Sequence, residues 1–299
     1  MDTKKWMAQL PDSTPLCSIS LPGTHDSTTR YVDWSAIARC QSLSVSQQLE
    51  LGFRMFDIRL KLEDGAFNCV HGISFCRKGR GRRAAALSFD EVYADCAGFL
   101  NENPSETVLL FIMADAGERG VPFFREFYKK YVKDNPVWYT ENRVPLLSEC
   151  RSRIVLINRC AGDAQAFDDS SFGINFSHWP YQGKASLPSV MGFDAALLSG
   201  NGIAASIEVQ DKYTLRHTAK WRDAALVMFE QTHNDGKVYI NCLSTAGELN
   251  PRYSSRKIIP AATEYLKKRR SFCGWVMSDF ACREFSESVI ACNFTEEKC

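Results

Sequence analysis

TVLLFIM, at residues 107–113, is an unbroken apolar run of the kind that forms a strand buried on both faces. Longer amphipathic segments flank it, at residues 88–101 before it and 123–133 after it. Ser88 and Glu91 have the spacing of a helix-opening capping box. A buried strand between two amphipathic helices is the building unit of a parallel α/β sheet, so this stretch predicts that fold class.

The same alternation continues in both directions along the chain. Further strands are predicted at residues 17–21, 54–62, 153–158, 205–209, 238–243 and 274–279. Further helices are predicted at residues 44–51, 215–234, 256–270 and 284–293. Because seven or eight strand–helix units follow one another without an obvious linker, we predict a TIM-type (β/α) barrel forming a single domain over residues 1–299.

Composition excludes some classes of protein. The formal net charge is +1 with 24% charged residues, which does not suit a nucleic-acid binder. The densest basic run, residues 77–83, is either a solvated loop or a segment attracted to anionic lipid headgroups. No apolar run is long enough for a transmembrane helix. We expect a secreted or cell-surface protein whose signal peptide is absent from this sequence.

The chain has 12 cysteines and no C-x-x-C pair, which disfavours a zinc ribbon. Several of them lie inside apolar runs, where cysteine behaves as a small hydrophobic residue. A chain of this size does not need disulfides for its stability. We therefore expect mostly free, buried thiols.

Polar side chains stand at the ends of the predicted strands, where a barrel carries its active site. The residues at these positions are His25, Asp26, Asp57, Arg59, His71, Arg159, Asp211, Tyr213 and Asp279. Taken singly, each has a structural alternative. A histidine beside a turn can be a capping residue, Arg59 and Asp57 can form a structural ion pair, and Asp279 can cap a helix. Their joint placement favours a common site.

This set of side chains suits one kind of chemistry. Two histidines can act as general base and general acid near neutral pH. An arginine can clamp a phosphate and stabilise charge in the transition state, and aspartates can orient the histidines. The combination predicts cleavage of a phosphodiester by a neighbouring hydroxyl group, with a cyclic phosphate as product and no metal ion.

Seven motifs also resemble one known family. They are LPGTHDS at 21–27, FDIR at 56–59, VHG at 70–72, NPSET at 103–107, IVLINR at 154–159, VQDKY at 209–213 and MSDF at 277–280. Together they are similar to the bacterial type of the phosphatidylinositol-specific phospholipase C X-domain family, over nearly the whole chain. The resemblance implies a distorted (β/α) barrel. It also implies cleavage of phosphatidylinositol, and of glycosylphosphatidylinositol anchors, to diacylglycerol and inositol 1,2-cyclic phosphate.

The resemblance also implies a role for each matching residue. His25 would be the general base on the inositol 2-hydroxyl, partnered by Asp279. His71 would be the general acid for the diacylglycerol oxygen, partnered by Asp26. Arg59 would bind the phosphate.

For the headgroup, the resemblance implies that Arg159 and Asp211 hydrogen-bond inositol hydroxyls and that Tyr213 stacks on the ring. Met113 departs from the family, because bacterial relatives carry a lysine there. A methionine hydrogen-bonds sugar hydroxyls poorly, so Asp115 or Lys184 is expected to supply that contact.

Calcium-dependent relatives hold Ca²⁺ with carboxylates around the phosphate, and Asp57 stands at one such ligand position. Arg59 falls where those enzymes carry a second acidic ligand. A guanidinium there does the work of the cation and repels one. We therefore predict no metal and no other cofactor.

The expected partner is phosphatidylinositol in a membrane, contacted peripherally, with no obligate protein partner. Relatives carry a membrane-touching helix just after the first histidine, and Trp34 and Ile37 lie there, three residues apart. Tryptophan favours the membrane–water interface. The alternative is that Trp34 belongs to the core.

Two other functions compete with the phospholipase. A glycerophosphodiester phosphodiesterase is also a barrel, but it uses a metal and a first-strand His-Arg-Gly, whereas Asp26 and Ser27 follow His25 here. A non-catalytic inositol-lipid-binding module would not need both histidines and Arg59, since binding alone requires no acid–base pair.

Overall fold

The described residues form one twelve-stranded sheet that curls around an apolar interior. The computed structural model describes residues 2–160, 172–184, 186–194 and 206–294. The strands are β1 Leu21–Thr24, β2 Met55–Glu63, β3 Ala66–His71, β4 Ser74–Phe75, β5 Val108–Ala116, β6 Trp138–Tyr139, β7 Ile154–Asn158, β8 Ile174–Asn175, β9 Met191–Asp194, β10 Ser206–Gln210, β11 Val238–Cys242 and β12 Trp275–Ser278. The main path runs β6-β7-β5-β2-β1-β12-β11-β10-β9, and every neighbour along it is parallel except β9 with β10.

Helices cover the outside of the sheet. The described α-helices are α1 Ser35–Ala38, α2 Val45–Glu50, α3 Phe89–Glu102, α4 Gly120–Phe127, α5 Leu147–Cys150, α6 His217–Ala219, α7 Leu226–Gln231, α8 Pro251–Arg269 and α9 Arg283–Ala291. Helix α3 begins as the sequence predicts, because the Ser88 N–H donates to Glu91 Oε2 at 3.2 Å. None of the helices within the described ranges is both long and apolar enough to cross a bilayer.

The core divides into two clusters because strand side chains alternate between faces. In β5, Leu109 and Phe111 belong to the interior cluster, which includes Trp275. Leu110 and Ile112 belong to the outer cluster beneath the helices. Both faces of the strand are therefore apolar, which explains the unbroken run in the sequence.

The fold confirms the predicted TIM-type α/β architecture, with distortions. Among the described residues no strand pairing joins β8 to β9, so the sheet is a curled, partly open barrel. Strands β3 and β4 form an antiparallel extension on β2. The predicted strand at residues 17–21 is wrong, because Leu16–Ser18 is a 3₁₀ turn and β1 begins at Leu21. Apolar side chains line both segments, and a short apolar run does not distinguish a strand from a buried turn.

The described cysteines agree with the expectation of free thiols. All eleven are unpaired, and all except the partly exposed Cys282 are buried. Burial raises the pKa of most of these thiols, for example that of Cys76 to about 12. Cys299, the twelfth, lies outside the described residues.

Candidate active site

Strand periodicity explains how β2 brings charged side chains into the barrel near its mouth. Met55, in β2, belongs to the interior apolar cluster, and Asp57 and Arg59 follow on the same face at two-residue steps. The matching positions of β5 are Phe111, deep inside, and Met113 at the mouth. The carboxyl halves of β2 and β5 thus carry polar or semi-polar side chains above an apolar floor.

His25 follows β1 directly and is held between two carboxylates and an arginine. Its Nδ1 lies 2.8 Å from Asp279 Oδ1, and its Nε2 lies 3.4 Å from Asp26 Oδ2. Parallel pairing of Thr24 with Ser278 brings β1 and β12 level, so His25 and Asp279 meet at the same edge. An orienting carboxylate on one ring nitrogen leaves the other nitrogen to face the cavity.

Arg59 is the centre of the ion-pair network. Its Nη2 donates to Asp57 Oδ2 at 3.0 Å, and its Nε lies 3.0 Å from Asp26 Oδ1. Nη2 also lies 2.8 Å from His25 Nε2. Because a guanidinium can only donate, this last contact belongs to the neutral imidazole with its proton on Nδ1. The arginine therefore marks where an anion would meet both the histidine and a fixed positive charge.

The second histidine, His71, ends β3 and shares a carboxylate with the first. Its Nδ1 lies 2.8 Å from the Ala38 carbonyl oxygen and 3.4 Å from Asp26 Oδ2. Since that oxygen is also 3.4 Å from His25 Nε2, Asp26 lies between the two rings. The structure thus brings His71 and Asp26 close together, although the Ala38 carbonyl oxygen is the nearer acceptor and the one that is hydrogen-bonded.

Arg159, Trp179 and Asp211 form the opposite wall. The Arg159 guanidinium stacks on Trp179, with 3.9 Å from its carbon to the ring centroid. The Trp179 indole N–H donates to Asp211 Oδ2 at 2.9 Å. Trp179 was missed by the sequence analysis because it lies between β8 and β9, where no periodic pattern exists.

These walls enclose a cavity of about 350 Å³, large enough for a sugar-sized headgroup. All the predicted catalytic residues except the buried Asp26 line it, together with Arg159, Asp211 and Tyr213. Tyr181, Ser244 and Thr245 also line it and were not predicted.

The residues predicted to contact the headgroup differ in their position relative to the cavity. Asp57 lines the cavity, but it is 1% exposed and its carboxylate faces Arg59 and Arg159, at 3.0 and 3.7 Å, so it supports the site from beneath. Met113 stands at the mouth as expected, and Asp115 lines the cavity beside it. Lys184 does not line this cavity.

The predicted membrane residues are exposed. Trp34 is 65% exposed and Ile37 is 58% exposed, so the alternative that places Trp34 in the core is wrong. Trp34 has a left-handed backbone (φ 58°) and immediately precedes α1, while Ile37 lies within the helix and lines the cavity.

The charges of the site shift the ionisation of its members. Burial alone would lower the pKa of His25, but the Asp26 and Asp279 carboxylates outweigh it and raise that pKa to about 9. Burial alone would raise the pKa of Asp57, but Arg59 and Arg159 hold it well below its usual range. The carboxylate is therefore charged, whereas His25 acts as a base only when it is neutral and its Nε2 lone pair is released from the Arg59 contact.

Metal-ligating side chains do meet here. One group is His25, Cys40 and Asp279, and two others combine Asp26 with the same histidine or with His71. Arg59 lies within 3.1 Å of Asp26, Asp57 and His25. A guanidinium stays protonated and already occupies the space between these donors, where it competes with a metal ion for them and repels it.

The raised pKa of His25 predicts a pH-dependent stability. A group whose pKa rises from 6.5 to about 9 on folding stabilises the protein fully below pH 6.5. That contribution, at most about 3 kcal/mol, is lost as the pH rises through 9. In urea unfolding at pH 6 and pH 9.5, His25→Gln should lose less stability than the wild type between the two pH values. Equal losses would contradict the assignment of this titration to His25.

Comparison with known proteins gives a consistent set of similarities. No family model matches the chain. The 1-phosphatidylinositol phosphodiesterase of Listeria monocytogenes is 32% identical over 166 residues, which spans 52% of this chain and 49% of that protein. The protein of the same name from Staphylococcus aureus strain Newman is 26% identical over 296 residues, covering 93% of this chain and 88% of that protein.

Solved structures agree on the fold. A phosphatidylinositol-specific phospholipase C from S. aureus superposes with a TM-score of 0.78 at 22% identity, over 97% of each chain. The phospholipase C from L. monocytogenes superposes with a TM-score of 0.70 at 24% identity, over 97% of this chain and 98% of that one. The chain therefore has the barrel fold of these bacterial enzymes.

Proposed function

We propose that the chain is a metal-independent phosphatidylinositol phosphodiesterase of the phospholipase C type. The observation that carries the proposal is the arrangement of His25 and His71 about one carboxylate oxygen, each 3.4 Å from Asp26 Oδ2, with Arg59 beside it. Two acid–base groups flanking a fixed positive charge suit in-line displacement at phosphorus. The names of the similar bacterial proteins point to the same reaction.

The first half of the reaction belongs to His25. Its neutral Nε2 accepts the proton of the inositol 2-hydroxyl, and the oxygen attacks phosphorus. The Asp279 carboxylate accepts the Nδ1–H at 2.8 Å, which fixes the tautomer and stabilises the imidazolium that forms. Arg59 turns its N–H groups from His25 to the phosphate oxygens, where charge develops.

The second half belongs to His71. As an imidazolium it gives a proton to the diacylglycerol oxygen while the P–O bond to that oxygen breaks. The products are diacylglycerol and inositol 1,2-cyclic phosphate, so atoms and protons balance without a covalent enzyme intermediate. Slower opening of the cycle by water would use the same groups in reverse roles.

The opposite wall supplies headgroup recognition. Arg159 and Asp211, locked together through Trp179, hydrogen-bond inositol hydroxyls from a fixed position. Tyr213, which is 37% exposed, stacks on the ring face. At the mouth Met113 offers no hydrogen bond, and Asp115 supplies the polar contact there instead. Cleavage of glycosylphosphatidylinositol anchors uses the same reacting groups.

The proposal also includes a family, a domain organisation and a location. The chain is a member of the X-domain family, its residues 1–299 act as one catalytic domain, and the protein is secreted or acts at the cell surface. The seven motifs and the continuous sheet support the first two.

The function is tested by phosphorus NMR of the products from phosphatidylinositol vesicles in excess EDTA. The expected signal is inositol 1,2-cyclic phosphate. Turnover only after Ca²⁺ is restored would contradict the role given to Arg59. Release of glycerol phosphate from glycerophosphodiesters in the presence of a metal would favour the glycerophosphodiester phosphodiesterase instead, and lipid binding without any turnover would favour the binding module.

Membrane contact gives a separate prediction. Trp34→Ala should lower turnover of phosphatidylinositol in vesicles roughly tenfold, because burial of an exposed tryptophan at the interface stabilises the membrane-bound protein. Turnover of a soluble inositol phosphodiester should not change. Leu146→Ala, which removes an apolar side chain that is 40% exposed and precedes α5 on the opposite face, is the control. A similar loss on the soluble substrate would show that Trp34 acts on the site and not on the membrane.

A further inference from the structure

A second cavity lies beside the mouth of the catalytic one and is lined by arginines. Its volume is about 510 Å³, and Arg30, Arg39, Arg80 and Arg82 contribute to its walls. The formal charge of the whole chain is only +1. Four arginines around one cavity therefore create a local region of positive potential. None of the proposed chemistry uses this cavity.

The positive charge of this arginine cavity is not neutralised from within. Asp33 is the only acidic residue of its lining, and it is already paired with Arg77 through Nη2 and Oδ2 at 2.6 Å. Among the residues that the structure describes, the four lining arginines have no carboxylate partner. The Arg39 Nε is buried and likewise has no described hydrogen-bond partner. A bound anion would supply the acceptor that this buried donor lacks.

Backbone pairing holds the two arginine-bearing segments together. Val32 and Cys76 form an antiparallel bridge, and the Asp33 N–H donates to the Phe75 carbonyl at 2.9 Å. A second bridge, between Arg77 and Ala86, closes the hairpin whose tip carries Arg80 and Arg82. The arginines are therefore presented from a paired framework and not from a free loop.

Helix α1 separates the two cavities. Ile37 lines the catalytic cavity, whereas Ser35 and Arg39 line the arginine cavity. The exposed Trp34 stands at the junction, with the Arg82 guanidinium carbon 5.7 Å from its ring centroid. A lipid surface that receives Trp34 would therefore meet both openings.

We propose that the arginine cavity binds the phosphate of an anionic phospholipid headgroup that is not the substrate. Guanidinium groups match phosphate oxygens, and the neighbouring tryptophan places the site at the depth of headgroups. This proposal rests on the proposed function, because the site meets a bilayer only if the chain acts on a membrane lipid. Binding to a lipid that cannot be hydrolysed keeps the two tests apart.

The test compares vesicles of phosphatidylcholine with vesicles containing phosphatidylserine, at 0.15 M salt. Phosphatidylserine has no hydroxyl group placed to attack its phosphodiester, so binding is measured without turnover. The wild type should bind the anionic vesicles more tightly. Arg80→Gln/Arg82→Gln should weaken that binding roughly 10- to 30-fold, since each basic residue at an anionic surface contributes about 1 kcal/mol.

A matched control distinguishes binding at the arginine cavity from attraction by the overall charge of the protein. Lys267→Gln/Arg270→Gln removes two exposed charges at the far end of α8 and should change binding less than twofold. Arg39→Gln, deeper in the cavity, should act in the same direction as the double variant. Thermal melting confirms that each variant is folded, and turnover of a soluble substrate should match the wild type.

Three results would overturn the proposal. One is the absence of any preference of the wild type for phosphatidylserine. Another is an equal loss in the control variant, which would indicate overall charge. The third is saturable binding of inorganic phosphate in titration calorimetry without preference for anionic vesicles, which would assign the cavity to a free anion.

Discussion

His25→Ala is expected to lower the rate of cyclic inositol phosphate formation by about 10³-fold, because a positioned general base contributes 10²–10⁴ in rate. His71→Ala should lower it by a similar factor on phosphatidylinositol. The two losses have different causes, since one variant lacks the base for the 2-hydroxyl and the other lacks the acid for the leaving oxygen. A change of leaving group separates them.

With a nitrophenyl ester of inositol phosphate, the leaving oxygen departs without a proton. His71→Ala should then recover most of its activity, whereas His25→Ala should stay low. His233→Ala, which removes an exposed histidine, is the matched control and should behave as the wild type. If the new leaving group rescued both variants, or His25→Ala alone, the roles given to the two histidines would be wrong.

The grouping of the candidate site residues could be predicted from the sequence because its signals are local and periodic. Asp57 and Arg59 stand two residues apart in an apolar strand, and His25 directly follows the end of another, β1. Residues two apart in a strand share a face, and the active site of a barrel lies at the carboxyl ends of its strands. These two facts are enough to predict that such residues lie close together. Strands β2 and β5 were predicted to within a few residues for the same reason.

Other parts of the site carry no such signal. Trp179 and Tyr181 approach Arg159 and Asp211 from a connection whose sequence has no repeat, and only tertiary packing brings them there. The hairpin β3–β4 is short and interrupted by polar residues, so it does not read as a strand pair. Residues of the basic run at 77–83 line the arginine cavity because the chain just before the run pairs with the segment after β1, and this long-range pairing has no signal in the sequence.

Arg54 shows how a structural charge can resemble a functional one in a sequence. It precedes β2, and Glu106 precedes β5, so the two side chains meet at the amino end of the barrel, opposite the site. Both are fully buried, with Arg54 Nε donating to Glu106 Oε2 at 2.9 Å. Arg54 also donates to the carbonyl groups of Leu49 and Thr3, each at 2.9 Å. The pair thus ties the amino-terminal segment to two strands.

Arg54→Met is expected to lower the free energy of unfolding by about 3–5 kcal/mol, because it leaves a buried carboxylate without its counter-charge. Burial already lowers the pKa of Arg54 and raises that of Glu106, despite their attraction, so each depends on the other to stay charged. Adding Glu106→Gln to Arg54→Met should therefore restore part of the loss. Urea unfolding of the single and double variants measures this coupling.

The exposed pair Lys268–Glu264 on α8 gives the control for this cycle. Glu264→Gln should leave the midpoint of unfolding unchanged, because water already solvates both charges. Arg54→Met should also expose the segment around Trp6 to proteolysis, since the Arg54 contacts with Thr3 and Lys4 are lost together. If the double variant recovered no stability, so that the losses of the two single variants simply added, the loss in Arg54→Met would come from the missing carbonyl contacts and not from an unpaired charge.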